Sequence, residues 1–192
     1  MFVLRGWFKI LAAVLKKLPY DVTILGSTRF GVFTQVHAAA SGNRVGAYRG
    51  NDGSNPTVTD CDIAVELDPE HAATYNSRGL AHRRNQDYAA AIADYNRAIK
   101  LDPAYAAAYG NRGNAYGDNG DLDHAIADCS KVIELDPLDA MAYYNRGVSY
   151  QIQDQKQSAI VDFWKAASLF RQQRDAADYQ KTVENLEVIC RP

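Results

Sequence analysis

A chain of 192 residues, 47% hydrophobic and 23% charged, has room for one soluble domain or a short repeat array. Its net charge of −2 is unevenly spread: residues 1–37 hold Arg5, Lys9, Lys16, Lys17 and Arg29 against Asp21 alone, and the rest holds 16 basic and 22 acidic residues. A mildly acidic body excludes nucleic acid as the expected partner, because phosphate binding needs clustered Lys and Arg. In chain order, residues 2–18 come first and divide cleanly on a helix. Leu4, Trp7, Phe8, Leu11, Val14, Leu15 and Leu18 take one side, with Val3 and Ile10; Arg5, Lys9, Lys16 and Lys17 take the other, and Pro19 stops the run. A cationic face opposite Trp, Phe and Leu is the pattern of an interfacial membrane helix. The same stripe suits a cap packed on the body, and the same charge suits a cleaved targeting segment. The sequence leaves these three open. A cytoplasmic location is favoured, with peripheral membrane contact through residues 1–18 as the alternative. Residues 20–37 alternate weakly about Gly26-Ser27 and complete an N-terminal segment of residues 1–37.

Beyond this segment the chain repeats itself. Leu-Asp-Pro recurs at 67–69, 101–103 and 135–137, a spacing of 34 residues. Tyr75, Tyr109 and Tyr143 keep that spacing, as do Arg78-Gly79, Arg112-Gly113 and Arg146-Gly147, and Ala91, Ala125 and Ala159. Each unit reads as two helices. In the unit at 106–139, Tyr109, Arg112-Gly113 and Tyr116 share one face; after Gly120-Asp121 a second stripe runs Leu122, Ala125, Ile126, Cys129, Val132 and Ile133. Asp121 suits the N-cap of that second helix, and Pro137 ends it by pushing the preceding residue out of the helical region. Turns are expected near Asp87, Asp121 and Asp154. Glycine inside a helix costs about 1 kcal/mol relative to alanine, so Gly79, Gly113 and Gly147 imply close helix approach, with the three alanines as the expected contact surface.

A worn copy lies at 38–71. Arg44, Ala47, Cys61 and Ala64 keep register, but Val45 replaces the glycine, and Gly50 to Pro56 is loop chemistry. Its tail, Val58 to Leu67, reads as a helix. After the last unit, Ala176, Tyr179, Val183, Leu186 and Cys190 form a stripe on a helix at 174–192, the capping end that an array requires.

These columns resemble the tetratricopeptide repeat (TPR) family, with good units at 72–105, 106–139 and 140–173 and a degenerate one at 38–71. The last unit has Arg171 at the closing proline position, His82 stands at the column of Tyr116 and Tyr150, and Cys129 at that of Tyr95 and Phe163. The resemblance implies an all-α fold, a right-handed α-solenoid of helical hairpins with a C-terminal capping helix. It also implies a protein-interaction module, an adaptor or scaffold that binds a partner peptide or helix. The alternative is a membrane-associated assembly factor tethered by the N-terminal helix. No nucleophile–base pair, metal-ligand cluster or phosphate loop occurs in the sequence, so no enzyme, cofactor or metal role is assigned. Three well-separated cysteines, Cys61, Cys129 and Cys190, read as free thiols.

The first helix of each TPR unit lines the concave face. Matching columns gives the groove as Asn76, Leu80, Arg83 and Arg84, then Gly110, Asn111, Asn114, Gly117 and Asp118, then Met141, Tyr144, Asn145, Val148 and Gln151. Gly110 and Gly117 are expected to leave open floor between the basic end and Tyr144. The two-carboxylate clamp of some TPR proteins is not matched: Asn111 fits, but Asn76, Met141 and Asn145 stand where it needs Lys or Arg. One feature departs from the family pattern. Arg44, Arg78, Arg112 and Arg146 occupy a column that is usually leucine, and Asp60, Asp94, Asp128 and Asp162 lie 16 residues after them. An arginine beside the packed glycine has little room to leave the interhelical region, so the expectation is an Arg–Asp ladder, each arginine paired with an aspartate of its own or an adjacent unit, that fixes helix register.

Overall fold

A computed structural model describes residues 57–191, which form eight helices and no strand. The N-terminal helix at 2–18, the segment at 20–37 and the first half of the worn unit, with Arg44 and Val45, lie outside the described residues. Helix α1 (Val58–Leu67) is the tail of that worn unit. Three hairpins follow: α2 (Ala72–Arg84) with α3 (Tyr88–Leu101), α4 (Ala106–Asp118) with α5 (Leu122–Leu135), and α6 (Ala140–Ile152) with α7 (Lys156–Gln173). Helix α8 (Ala176–Cys190) closes the array.

The helix ends follow from local chemistry. Asp87, Asp121, Asp139 and Asp175 are N-caps whose carboxylates accept the amides of Ala90, His124, Ala142 and Asp178. This satisfies donors that the first helical turn leaves without partners. Thr57 and Asp60 form a reciprocal capping box on α1. At each Leu-Asp-Pro the helix stops on the leucine. Asp68, Asp102 and Asp136 are extended, and their carboxylates accept the amides of Glu70, Ala104 and Leu138 in a side-chain-stabilised turn. Where Arg171 replaces proline, nothing stops the helix. Helix α7 runs 18 residues, to Gln173, and ends on Arg174 in the left-handed region at φ 61°.

Each intra-unit turn passes through one left-handed residue, and these too are 34 apart: Gln86 (φ 62°), Gly120 (φ 82°) and Asp154 (φ 59°). Glycine takes this conformation without the Cβ clash that costs other residues about 1–2 kcal/mol. Gly120→Ala is therefore expected to cost about 1 kcal/mol, whereas Gln86→Gly should be neutral or stabilising, because relieved strain opposes the added freedom of the unfolded chain. Urea unfolding midpoints check both.

The core is a column of three positions per second helix: Ala91, Tyr95 and Ala98; Ala125, Cys129 and Val132; Ala159, Phe163 and Ala166. The spacing i, i+4, i+7 keeps them on one face. The glycines have a different neighbour from the one expected. A Cβ on Gly79 would lie 2.7 Å from the Tyr95 ring, and one on Gly147 would lie 2.9 Å from the Phe163 ring. The alanines are buried, but the ring one turn further along fills the space. In the middle unit, where Cys129 replaces the ring, a Gly113 Cβ would instead meet the Asp128 Cβ at 3.1 Å and the Ala125 carbonyl at 3.4 Å. A smaller side chain there lets the backbones themselves approach.

Helix α8 packs on α7 through a face that keeps Tyr179, Val183 and Leu186 of the expected stripe and adds Thr182 and Ile189. Thr182 and Leu186 are buried and Tyr179 and Ile189 half-buried, while Ala176 and Cys190 are exposed. Thr182 is tolerated there because its hydroxyl donates to the Asp178 carbonyl at 2.6 Å.

Candidate functional site

The three ladder arginines, Arg78, Arg112 and Arg146, join the units. In each, Nε and Nη2 grip both oxygens of the aspartate 16 residues on: Arg78 to Asp94 at 2.9 and 2.7 Å, Arg112 to Asp128 at 2.8 and 2.6 Å, and Arg146 to Asp162 at 2.7 and 2.8 Å. The aspartate side chains are 5–9% exposed. Bidentate contact with a carboxylate raises all three guanidinium pKa values, against the opposing effect of burial. The third donor turns back 16 residues to the preceding unit. Nη1 of Arg78 reaches Asp62, that of Arg112 reaches Asn96, and that of Arg146 reaches Ser130, at 2.8, 2.5 and 2.9 Å. Each guanidinium also lies against aromatic side chains, Tyr75 for Arg78, Tyr109 and Tyr116 for Arg112, and Tyr143 and Tyr150 for Arg146, at 5.5–6.0 Å. An aspartate of an adjacent unit was an expected partner, and Asp62 is one; Asn96 and Ser130 fall outside that expectation. Their signal was there, an oxygen acceptor every 34 residues, but the residue type changes each time.

With Arg78, Arg112 and Arg146 committed inward, the ladder is structural, and the candidate binding surface is the opposite face of α2, α4 and α6. The residues proposed for the groove lie on it, and several hold one another. Asn111 donates to Asn76 at 2.9 Å, Asn145 donates to Asn114 at 3.0 Å, and Arg83 Nε donates to Asp118 at 2.7 Å. These bonds tie successive first helices together. Leu80 and Gln151 are half-buried on the same face, and Arg84 is exposed with no side-chain partner among the described residues.

Three readings of this face need correction. Asn76 and Tyr144 are only 4% and 8% exposed, so neither is an open contact. Tyr144 is covered from α8, whose Asn185 donates to its hydroxyl at 3.0 Å and whose Lys181 ammonium lies 4.9 Å from its ring centre. The apolar end of the face is instead supplied by Met141 and Ile152, 41% and 64% exposed on the same side of α6. Gly110 and Gly117 turn their Cβ positions toward α5: a Cβ on Gly110 would meet Val132 at 3.8 Å, and one on Gly117 would meet Ala125 at 4.0 Å, both ordinary contacts, so the glycines are not a device that clears the groove floor. Arg83, placed in the groove as a binding contact, is engaged within the protein: through Asp118 it bridges two units.

Cys61 and Cys129 are buried, and desolvation pushes their thiols up to about 11 and about 12 respectively, away from the thiolate form that nucleophilic or metal chemistry needs. Among the described residues no cluster of His, Cys, Asp or Glu could hold a metal ion, and no helix is long and apolar enough to cross a membrane.

The comparisons agree with this architecture. Models of the tetratricopeptide repeat match residues 106–138 and 129–161, and a TPR repeat model matches residues 82–120. No curated protein sequence matches the chain. Among solved structures, the crystal structure of MamA is similar at 30% identity and a TM-score of 0.59, over 62% of this chain and 69% of that one. The TPR domain of Arabidopsis OM64 is similar at 26% identity and a TM-score of 0.56, over 62% of this chain and 95% of that one. The first TPR domain of Spaghetti (RPAP3), solved with an HSP90 peptide, shares the fold at 21% identity and a TM-score of 0.57, over 64% of this chain and 92% of that one. The 34-residue hairpin period, the glycine–ring contact between paired helices and these matches make one case: the chain belongs to the tetratricopeptide repeat family, whose stacked hairpins serve as protein-interaction modules.

Proposed function

We propose that the chain is an adaptor that holds a partner peptide or helix across the face of α2, α4 and α6. The preferred segment carries an acidic residue near one end and an apolar side chain near the other. The observation that carries this reading is Arg84, an exposed guanidinium with no ion-pair partner among the described residues, set beside Arg83. The described residues carry more acid than base, so a free cation on this face stands out as a handle for a carboxylate. Its position at the C-terminal end of α2 also suits the helix dipole, and that accounts for its helical position without engaging its donors. Met141 and Ile152 offer the apolar end. The peptide-bound relative supports the general mode and not the ligand, since the clamp positions here hold Asn76, Met141 and Asn145.

The test begins with affinity capture of a partner from the native cell. Arg84→Glu should weaken that partner's binding about tenfold and flatten its salt dependence, and Arg83→Glu with Arg84→Glu should weaken it further. The Arg83–Asp118 pair is part-exposed at 29% and 41% and worth little to stability, so circular dichroism should show both variants folded. A folded double variant that binds as well as the parent at low and high salt refutes the assignment.

A further inference from the structure

The arginine ladder has an end, and the residue at that end differs in kind from those before it. Along the second helices, the positions that receive the next unit's arginine are Asp62, Asn96 and Ser130. The fourth member of this column is Trp164, and the residue 16 further on is Gln180. No arginine follows, and an indole stands where the acceptor would be. Trp164 is 65% exposed, and Val161 beside it on α7 is 59% exposed. A capping helix ordinarily shields the last apolar face of an array. Here α8 leaves an open, largely apolar groove of about 520 Å³ between itself and α7. Trp164, Ala167 and Arg171 line one wall; Tyr179, Val183 and Glu187 line the other.

The charges give this groove a direction. Helices α7 and α8 run antiparallel, joined through Arg174 and Asp175. Arg171 and Tyr179 therefore sit at the end near the turn, and Trp164 and Glu187 at the far end. Neither Arg171 nor Glu187 forms a side-chain ion pair among the described residues. A groove with one unpaired cation at one end and one unpaired anion at the other is complementary to its own reversed copy. We infer that a second copy of this chain occupies it, the two meeting across a two-fold axis perpendicular to the groove. The rotation lays each Arg171 against the partner's Glu187 and each Trp164 on the partner's Arg171 and Tyr179. Each contact is thus made twice, as an isologous interface requires. The exposed indole becomes a buried anchor at each end of the interface, and the guanidinium both pairs with a carboxylate and stacks on an aromatic face. The interface leaves the face of α2, α4 and α6 free, so it is independent of the peptide-binding reading.

Sedimentation equilibrium of the full chain over a wide concentration range tests this. The parent should show a monomer–dimer equilibrium. Trp164→Glu should raise the dissociation constant about 30-fold or more, as loss of an interface anchor does. Arg171→Glu places two carboxylates together at both ends of the interface and should raise it about tenfold. Arg171→Glu combined with Glu187→Arg restores opposite charges and should return the constant to within a few-fold of the parent. All three positions are at the surface, and circular dichroism controls for folding. A parent that stays monomeric at every concentration overturns the inference. So does a dimer indifferent to Trp164→Glu, or a charge swap in which the double variant stays as weak as the single.

Discussion

Arg112→Leu is expected to destabilise the protein by about 3 kcal/mol, although it restores the residue usual for the family at that column. Asp128 accepts two hydrogen bonds from Arg112 and its side chain is 7% exposed. Leucine removes both donors and leaves the carboxylate enclosed and unpaired, the costly way to break a buried ion pair. The Asn96 side chain on the preceding unit loses its donor as well, so the damage extends across the interface between units. The pair itself is worth far less than that figure, because desolvating two charges offsets most of their attraction. Arg112→Leu with Asp128→Ala should therefore recover to within about 1–2 kcal/mol of the parent. Urea unfolding of the parent, both singles and the double gives the coupling energy directly. Additive losses would show that the two side chains do not depend on each other, and the ladder would lose its energetic meaning.

The ladder also shows which parts of this structure are legible in a sequence. Arg78, Arg112 and Arg146 repeat in type as well as position, and so do Asp94, Asp128 and Asp162. Their pairing could be read because identity and spacing recur together. Asp62, Asn96 and Ser130 do the same job with three different side chains, so comparing residue types column by column passes over them. The hairpins, the Asp121 cap and the Leu-Asp-Pro stops were legible for a related reason: each is set by neighbours within a few residues. The binding face was harder. Its position followed from the period, but its accessibility depends on contacts between residues more than 30 apart, such as Asn111 with Asn76 and Asn185 with Tyr144. Helix α8 keeps Tyr179, Val183 and Leu186 of the expected stripe on its packed face; Thr182 was missed, because pattern reading assigns threonine to the outside. Thr182 is buried by satisfying its hydroxyl within its own helix.

Phe163→Ala should be among the most damaging single truncations in the described residues, costing about 3–5 kcal/mol. The ring is fully buried, packs within the cluster that includes Tyr144, Ala159, Phe170 and Leu186, and lies 5.7 Å from the Tyr144 ring centre. Its loss leaves a cavity under Gly147, and that glycine turns the experiment into a test of the close-approach argument. In the parent, Gly147→Ala places a methyl 2.9 Å from the Phe163 ring. Overpacking of that kind costs about 1–3 kcal/mol and outweighs the gain of about 1 kcal/mol from alanine's helix propensity, so the single change should be destabilising. In the Phe163→Ala background the ring is gone, the methyl enters vacated space, and only the propensity gain remains. Gly147→Ala should then stabilise. The sign of one substitution thus reverses with the identity of a residue 16 positions away, and chemical unfolding of the four proteins measures it. If Gly147→Ala is destabilising to the same degree in both backgrounds, the glycine is held by something other than the ring. If it stabilises in both, helix α6 shifts to make room, and the contact between Gly147 and Phe163 does not fix the approach of the two helices.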